Sequence, residues 1–359
     1  MAEVAGGRGV LGQRDGAPAI ELRGVSRRYG GHLTAVQDIS LSVTAGELLA
    51  LLGPSGCGKS TTLMLIAGLE APDEGEVWLH GRPVARPGLF VPPEARRVGL
   101  VFQNFALFPH LSVEENVAYA LADRDGGSRA RRTVELLDLV GLSGAGRRYP
   151  HEISGGQQQR VAVARALANE PTTILLDESF SNLDAARRSE LREELRALLR
   201  SAVVTSVFVT HDQAEALALA DSLAVMHEGR ILQVGRPRQV YDEPTTRIVA
   251  GLSGPASFLR GTGAGATGVC ALGSIVLIEP AVGPIDILIR PETVGLKRDS
   301  QGPGVVERSI YQGPDQLIVI RLDSDERITV RVPAFATFEP GARVWPRAYR
   351  PLRAFAAGV

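Results

Sequence analysis

Residues 48–61 read LLALLGPSGCGKST, and this stretch decides the fold of the chain. Its first five residues form a short, wholly apolar run, which is typical of a parallel strand buried on both faces. A glycine-rich loop follows at 53–58, and Leu63, Ile66 and Ala67 are spaced to face inward on a helix after it. Strand, loop and helix in this order, with the pattern G-x-x-x-x-G-K-[ST], predict a loop that cradles phosphate groups.

The residue types of this loop explain how it would bind a nucleotide. Glycines let successive backbone N–H groups point at phosphate oxygens, and the helix N-terminus adds partial positive charge. Lys59 is one of two lysines in the chain, with Lys297, and it can reach the β- and γ-phosphates as a point charge. The Ser60 hydroxyl is a suitable ligand for Mg²⁺. The predicted nucleotide-binding residues of the loop are Gly53, Pro54, Ser55, Gly56, Cys57, Gly58, Lys59, Ser60 and Thr61.

A second apolar run, Ile174–Leu176, ends in two carboxylates, Asp177 and Glu178. Many strands end in an acidic residue that only meets solvent, so the pattern alone is weak. Beside a phosphate loop it predicts more: Asp177 can orient Mg²⁺ through a water, and Glu178 can polarise an attacking water as general base.

Composition limits the classes of function that fit. The chain has 359 residues, enough for two domains, and its 44% apolar and 22% charged content is that of a globular protein. Lys+Arg (39) and Asp+Glu (40) nearly balance, which gives no electrostatic reason to expect a nucleic acid partner. With two cysteines, no spanning apolar run and no leader-like segment, we expect a cytoplasmic protein without disulfides.

The pattern along the chain predicts an α/β fold with a mainly parallel sheet. Residues 18 to about 52 alternate apolar and polar residues, which indicates antiparallel strands and turns. Val207–Val209 is a third buried strand, and His211 follows it. Ser112 and Glu115 match a capping box. One helix face is expected at Val134, Leu137 and Val140, and an apolar helical stripe at Leu191, Leu195, Leu198 and Leu199. Between them, a helix is expected to continue through Val161, Ala164, Arg165 and Ala168.

The sequence changes character in its last third. Residues 251–268, GLSGPASFLRGTGAGATG, predict a linker by composition. Short Val/Ile-rich runs separated by glycine or proline follow, and they predict a small all-β, barrel-like domain. We therefore expect a disordered extension at 1–17, a nucleotide-binding domain at 18–245 and a β domain at 246–359.

The order of motifs resembles the ATP-binding subunits of ABC transporters. Ser154-Gly155-Gly156-Gln157 resembles the family signature, with Ile153 where leucine is usual, and Ser181-Asn182-Leu183-Asp184 resembles the D-loop. Gln103 matches the Q-loop, His211 the switch histidine, and Tyr29 the aromatic residue that stacks on adenine. Proline usually follows the catalytic glutamate in this family. Ser179 stands there in this chain, and we expect it to loosen the turn and slow hydrolysis.

The resemblance implies a function and a set of site residues. It implies a homodimer in which Ser154, Gly155 and Gly156 bind the γ-phosphate held by the other subunit's phosphate loop, so that two ATP molecules join the subunits. It adds Gln157 and Asp184 to the nucleotide site. The implied catalytic residues are Glu178, His211 and Gln103, and the implied Mg²⁺ ligands are Ser60, Gln103 and Asp177.

Two further segments resemble one branch of this family. Arg290-Pro-Glu292 and residues 309–322 resemble the oligonucleotide-fold-like (TOBE) regulatory domains of importer ATPases, although a dimerisation domain without ligand is the simpler alternative. Residues 91–117 look closest to ferric-iron importer ATPases, while sulfate, polyamine, phosphonate and sugar importers share much of the pattern.

For an importer subunit the resemblance implies partners as well as cofactors. These would be ATP, Mg²⁺, two membrane-spanning permease subunits that contact Gln103 and residues 104–120, and, indirectly, an extracytoplasmic binding protein. The subunit would be peripheral on the cytoplasmic face of the inner membrane. A soluble ABC-type ATPase acting on ribosomes or DNA, and a nucleotide-gated regulator without turnover, are the alternatives.

Overall fold

The computed structural model describes residues 18–30, 33–122, 125–178 and 188–358, with the side chains of the last range described from residue 192. The chain forms two compact units, one ending at Val240 and the other beginning at Tyr241. The boundary expected from the sequence, between residues 245 and 246, falls inside the second unit. The extension at 1–17 lies outside the described residues.

The first unit combines strands and helices in an alternating order. Its strands are β1 (Pro18–Tyr29), β2 (Leu33–Thr44), β3 (Leu48–Leu52), β4 (Glu74–Leu79), β5 (Arg82–Arg86), β6 (Leu89–Phe90), β7 (Val98–Val101), β8 (Thr173–Asp177), β9 (Thr205–Thr210), β10 (Ser222–His227) and β11 (Arg230–Gly235). Its helices are α1 (Lys59–Ala67), α2 (Val113–Tyr119), α3 (Gly126–Leu139), α4 (Gly155–Leu167), α5 (Arg188–Ser201), α6 (Gln213–Leu219) and the start of α7 (Pro237–Asp242).

The central sheet carries the strands that the sequence predicted as buried. Its strand order is β11-β10-β3-β9-β8-β7, and all neighbouring pairs are parallel except β10 with β11. Every residue of β3 is buried, because the strand lies between two others with structure on both faces. Since β3, β9, β8 and β7 run in the same direction, the loops after their carboxyl ends meet at one edge of the sheet.

A separate antiparallel sheet, of order β2-β1-β4-β5-β6, confirms the strands predicted for residues 18 to 52. Its apolar side chains share a core with helix α1 and the central sheet, and Leu63 and Ile66 of α1 point into that core as expected. The phosphate loop therefore lies between a fully buried strand and a helix with a buried face, which fixes both of its ends.

The helical segment after β7 confirms one local prediction and corrects another. Ser112 caps α2 in a capping box with Glu115, as predicted. The predicted face of α3 is wrong at Val134, whose exposed fraction is 58%. The buried face lies one position earlier and runs through Thr133, Leu136 and Leu137 to Val140. A helix turns by about 100° per residue, so this shift moves Val134 into solvent.

The second unit is built mainly of antiparallel sheet. After α8 (Arg247–Ser253), its strands are β12 (Ser257–Cys270), β13 (Gly273–Ile289), β14 (Val294–Arg298), β15 (Gly304–Tyr311), β16 (Asp315–Leu322), β17 (Arg327–Pro333), β18 (Arg343–Ala348) and β19 (Ala354–Ala356). They form the sheets β12-β13-β19 and β14-β18-β15-β16-β17. Apolar side chains from both sheets form one core, which confirms the predicted β domain.

The predicted linker is wrong, because most of it is strand β12. This strand pairs with β13 from Ser257 to Cys270. A Cβ atom on Gly263 would lie 2.5 Å from the carbonyl oxygen of Ala281 on β13, so the glycine permits the two backbones to approach closely. Composition alone cannot separate such a glycine-rich strand from a flexible linker.

Candidate functional site

The phosphate loop joins β3 to α1 and places the first helical residue at Lys59. Gly58 precedes it with a φ of 101°, a left-handed conformation that glycine adopts readily. A Cβ atom at this position would lie 2.2 Å from the carbonyl oxygen of Ala35, so only glycine fits without movement of the backbone. The turn therefore needs this residue type for two separate reasons.

The side chain of Lys59 is folded into its own loop. Its Nζ donates hydrogen bonds to the carbonyl oxygens of Gly53 (2.8 Å) and Pro54 (2.9 Å), and the residue is 5% exposed. The Cys57 Sγ lies 3.9 Å from the same ammonium group. Burial raises the pKa of the Cys57 thiol, and Lys59 offsets part of that rise. The loop therefore carries one buried positive charge beside a largely neutral thiol.

Ser60 and Asp177 meet across the site. The Ser60 hydroxyl donates a hydrogen bond of 3.0 Å to Asp177 Oδ1, which joins the start of α1 to the end of β8. Burial raises the pKa of Asp177, although the Ser60 hydrogen bond and the Lys59 charge partly lower it. The chemistry of this donor set, a hydroxyl beside a carboxylate whose charge is unfavourable without a cation, suits a hard cation such as Mg²⁺.

Glu178 is the centre of a second group. Gln103 Nε2 donates to Glu178 Oε2 over 2.9 Å, and His211 Nδ1 lies 3.3 Å from Glu178 Oε1. The three residues follow β7, β8 and β9, which are neighbours in the central sheet, so residues far apart in sequence meet here. Glu178 has a φ of 42°, in the left-handed region. A non-glycine residue in this conformation raises the free energy of the folded state by about 1–2 kcal/mol, which the surrounding contacts must offset.

The switch position is braced by residues that sequence reasoning missed. Thr210 donates a 2.5 Å hydrogen bond to Glu215 Oε2, and the Asp212 carboxylate caps helix α6. Arg192 on α5 binds Asp212 Oδ2 (3.0 Å) and Glu215 Oε1 (2.9 Å). The spacing of Asp212 and Glu215 at a helix start was the available signal. These contacts hold the backbone on both sides of His211.

The structure joins some of the expected site residues and leaves others in separate places. The continuous group beside the phosphate loop contains Lys59, Ser60, Gln103, Asp177, Glu178 and His211. Ser154 caps α4 in a capping box with Gln157, and Gly155 and Gly156 form the first turn. Tyr29 is half-buried at the end of β1, with the Arg27 guanidinium 5.0 Å from its ring. Ser179 and the D-loop, including Asp184, lie outside the described residues.

Comparison with known proteins now places this geometry in a family. A family model described as ABC transporter matches residues 36–181, and one described as TOBE domain matches residues 287–347. A spermidine/putrescine import ATP-binding protein of Methylococcus capsulatus is 46% identical over 328 residues, which are 86% of this chain and 83% of that protein. The chain belongs to the ATP-binding subunits of ABC importers.

Other importer subunits are equally similar but carry different names. A sulfate/thiosulfate import ATP-binding protein of Chromobacterium violaceum is 48% identical over 77% of this chain and 76% of its own length. An Fe(3+) ions import ATP-binding protein of Rhodococcus jostii is 44% identical over 91% of this chain and 95% of its own length. The relatives therefore divide among polyamine, sulfate and ferric iron, and they leave the cargo of this importer subunit undetermined.

Solved structures agree with the fold of the ABC importer subunit. The cbiO1 protein of Clostridium perfringens, part of the transporter complex cbiONQ, superposes with a TM-score of 0.58 at 28% identity and covers 63% of this chain and 91% of that one. The dimeric ATP-binding cassette MJ0796, bound to ADP and Pi, superposes with a TM-score of 0.53 at 33% identity. The match covers 60% of this chain and 98% of that one. The predicted α/β fold with a phosphate loop is thus confirmed.

Membership of the family establishes the general activity of this importer subunit. Members of the family are ATP-hydrolysing components that work with membrane permeases. In the part of this chain that the structure describes, no helix is both long enough and apolar enough to cross a membrane.

Proposed function

We propose that the chain binds Mg²⁺-ATP through residues 53–61 and hydrolyses it with Glu178 as general base. The observation that carries this proposal is the meeting of Gln103, Glu178 and His211 beside the Ser60–Asp177 pair. Two hydrogen-bonding neighbours fix the Glu178 carboxylate from two sides, so one oxygen can receive a proton from a water held in line with the γ-phosphate. When ATP binds, the Lys59 ammonium group exchanges its hydrogen bonds to the carbonyls of Gly53 and Pro54 for bonds to the β- and γ-phosphates.

The metal ligands in this proposal are Ser60 and Asp177, with Gln103 as a third. Mg²⁺ bound there would neutralise negative charge on the phosphates during transfer. The residues themselves supply the positioning: Ser60 and Asp177 are already joined, and Gln103 bonds Glu178, the residue after Asp177. As a ligand of the metal, Gln103 would connect the nucleotide to the segment that follows it in the chain.

A second copy of the chain completes the proposed site. Ser154, Gly155 and Gly156 begin α4, and the N–H groups of a helix start attract a phosphate. We propose that they and Gln157 face the γ-phosphate bound by the partner, that Tyr29 stacks on adenine, and that Asp184 lies at the same interface. Two ATP molecules would then be buried in a two-fold, self-complementary dimer.

The proposed permease site is a groove next to the Gln103 segment. It has a volume of about 420 Å³ and is lined by residues that include Glu94, Leu100, Phe108, Tyr119 and Asn169. The rings of Phe108 and Tyr119 lie 4.5 Å apart in it. An aromatic groove with charged margins suits a short amphipathic helix, so a cytoplasmic helix of each of two permease subunits would hold this subunit at the cytoplasmic face of the inner membrane.

For the cargo we propose ferric iron, delivered to the permease by an extracytoplasmic binding protein. The likeness of residues 91–117 to ferric-iron importer ATPases supports it, as do iron-importer relatives that are 43–44% identical. Sulfate and a polyamine are the alternative candidates, because the Chromobacterium violaceum and Methylococcus capsulatus relatives are 48% and 46% identical. Since cargo contacts the permease and the binding protein, the residues of this site do not distinguish among the three.

The experiment that tests the proposal uses Glu178→Gln as a trap in the native cell. The variant keeps the shape of the side chain and removes the base, so ATP binding should persist while hydrolysis falls by about 10²–10⁴-fold. Membranes solubilised with Mg²⁺-ATP should yield the tagged variant with a permease, identified by mass spectrometry. Lys59→Met in the same background is the matched control: it should lose bound Mg²⁺-ATP and still yield the permease, because no residue of the phosphate loop lines the proposed permease groove.

Each outcome of this experiment has a separate meaning. A permease together with a ferric-binding protein supports the full proposal. A permease with a different binding protein, such as one for sulfate or a polyamine, supports the mechanism and contradicts ferric iron as the cargo. Recovery of ribosomes or DNA, or hydrolysis at the wild-type rate in the variant, contradicts the importer role or the assignment of the base.

A further inference from the structure

The turn that follows Gln103 has an unusual backbone. Phe105 and Ala106 are consecutive non-glycine residues with φ values of 60° and 46°. Such residues stay left-handed only where their surroundings hold them. The carbonyl oxygens of these two residues accept hydrogen bonds from one guanidinium group, that of Arg165, at 2.8 Å and 2.7 Å.

Arg165 reaches this turn from the last turn of helix α4. Its guanidinium also lies 5.6 Å from the ring of Phe108, and burial lowers the pKa of Arg165. One side chain thus contacts three residues of the segment between Gln103 and the proposed permease groove, and Arg165 itself lines that groove. A planar fork with several donors is the side chain best suited to bridging two carbonyls in this way.

Helix α4 is held rigidly where Arg165 leaves it. Val161, Ala162, Val163 and Ala164 are buried, and a Cβ atom on Gly99 of β7 would lie 2.6 Å from the carbonyl oxygen of Ala166. The helix therefore packs closely on the strand that leads to Gln103. Its other end carries Ser154 and the signature glycines, about 15 Å away at 1.5 Å per residue.

We propose that Arg165 is a positioning residue that couples the Gln103 turn to the signature end of α4. The proposal rests on the function proposed above and adds to it the side chain that links the two segments. When nucleotide engages Ser154, it stabilises helix α4, and Arg165 extends this stabilisation to the Phe105–Ala106 carbonyls that it bonds. Coupling between two sites is reciprocal, so a helix bound in the groove would affect the signature through the same contacts.

The proposal is tested by hydrogen–deuterium exchange of the full chain carrying Glu178→Gln, with and without saturating Mg²⁺-ATP. Peptides from residues 53–62 report nucleotide binding, and peptides from 104–112 report the turn. Mg²⁺-ATP should slow exchange in both segments about tenfold, because local opening becomes less frequent. Adding Arg165→Met should leave the change at 53–62 and reduce that at 104–112 to less than about twofold, since the linking hydrogen bonds are gone.

Two further variants separate coupling from simple packing. Arg165→Lys keeps one charged donor and should restore part of the response at 104–112. Arg97→Met is the matched control, because Arg97 lies on the same surface and donates to a backbone carbonyl outside the turn, that of Glu170, over 3.1 Å. It should respond to Mg²⁺-ATP as the parent chain does.

Three results would overturn the proposal. One is a full response at 104–112 in Arg165→Met, and another is an equal loss in Arg97→Met. If Arg165→Met lowered the response at 53–62 as much as that at 104–112, Arg165 would act by general stabilisation only. Absence of any response at 53–62 in the parent chain would instead contradict the proposed function, and this inference would fall with it.

Discussion

At the scale of single residues, Lys59 is the charge on which nucleotide binding depends. Its ammonium group already bonds two carbonyls of the loop, so phosphate oxygens replace existing hydrogen bonds. Lys59→Met removes the charge but keeps a chain of similar length. We expect the affinity for Mg²⁺-ATP to fall about 100-fold, because charge-assisted hydrogen bonds contribute about 1.5–3 kcal/mol each. Isothermal titration calorimetry measures this change directly.

The control for this experiment is the other lysine. Lys297 is exposed on β14 in the second unit, and Lys297→Met should leave the affinity for Mg²⁺-ATP unaltered. Binding by Lys59→Met with the affinity of the original chain would show that the loop does not hold the phosphates through this residue.

Asp177 gives a prediction about pH. Burial raises its pKa in the folded chain above the ordinary value of 3.8, so the contribution of this group to folding is most favourable below that value and is lost as the pH rises through the raised pKa. Asp177→Asn has no charge to bury. We expect its melting temperature without ligand to exceed that of the original chain by a margin that grows as the pH rises from 3.8 through the raised pKa.

Differential scanning fluorimetry across this pH range measures that margin. Mg²⁺-ATP should raise the melting temperature of the original chain more than that of Asp177→Asn, because only the carboxylate attracts the cation strongly. A margin that is constant with pH would show that the Asp177 carboxyl is not perturbed in the folded state.

The sequence points to the proposed site residues more directly than to the residues that support them. Ser60 and Asp177 were expected to serve the same cation, and their side chains touch. Lys59, Glu178 and His211 carry chemistry in their residue types and follow recognisable strands. Arg165 instead binds backbone carbonyls, which every residue has, so no sequence pattern identifies its partners.

At the scale of elements, strand β12 and helix α8 predict opposite effects for alanine at one glycine of each. Gly263→Ala should lower the free energy of unfolding of the second unit by about 1–3 kcal/mol, because the added methyl group meets the rigid carbonyl of Ala281. Gly251 lies inside helix α8 with open space around its Cα. Gly251→Ala should raise the same free energy by about 0.5–1 kcal/mol, since alanine favours the helix.

Urea denaturation followed by the fluorescence of Trp345 reports on the second unit in a Trp78→Phe background. A midpoint for Gly263→Ala at or above that of the original chain would contradict the pairing of β12 with β13 at Gly263, and a lower midpoint for Gly251→Ala would contradict the open space at that position.

Elements with a simple environment were predictable, and those defined by distant partners were not. LLALL at 48–52 has one interpretation, because a wholly apolar run before a phosphate loop must be buried. β12 is rich in glycine because the opposite strand approaches closely, and that strand lies elsewhere in the sequence. The predicted face of α3 is wrong at Val134 for the same reason. Packing against other elements decides which of two adjacent positions is buried.

At the scale of the whole molecule, the proposed ATP-bound dimer predicts that the oligomeric state changes when nucleotide binds. Glu178→Gln with Mg²⁺-ATP should form a dimer of twice 38.2 kDa, because two composite sites bury ATP and hydrolysis cannot release it. Size-exclusion chromatography with light scattering measures the mass. Lys59→Met in this background should remain monomeric, and a dimer of equal stability without nucleotide would contradict the role of ATP at the interface.

The two lysines also have a practical consequence. Lys59 is 5% exposed and its ammonium group is engaged by backbone oxygens, whereas Lys297 stands in solvent on the second unit. Of the two lysine side chains, an amine-reactive dye should therefore label Lys297 and spare Lys59 in the phosphate loop. A fluorophore attached there would give the second unit its own optical signal while the first unit turns over ATP, without any engineered cysteine.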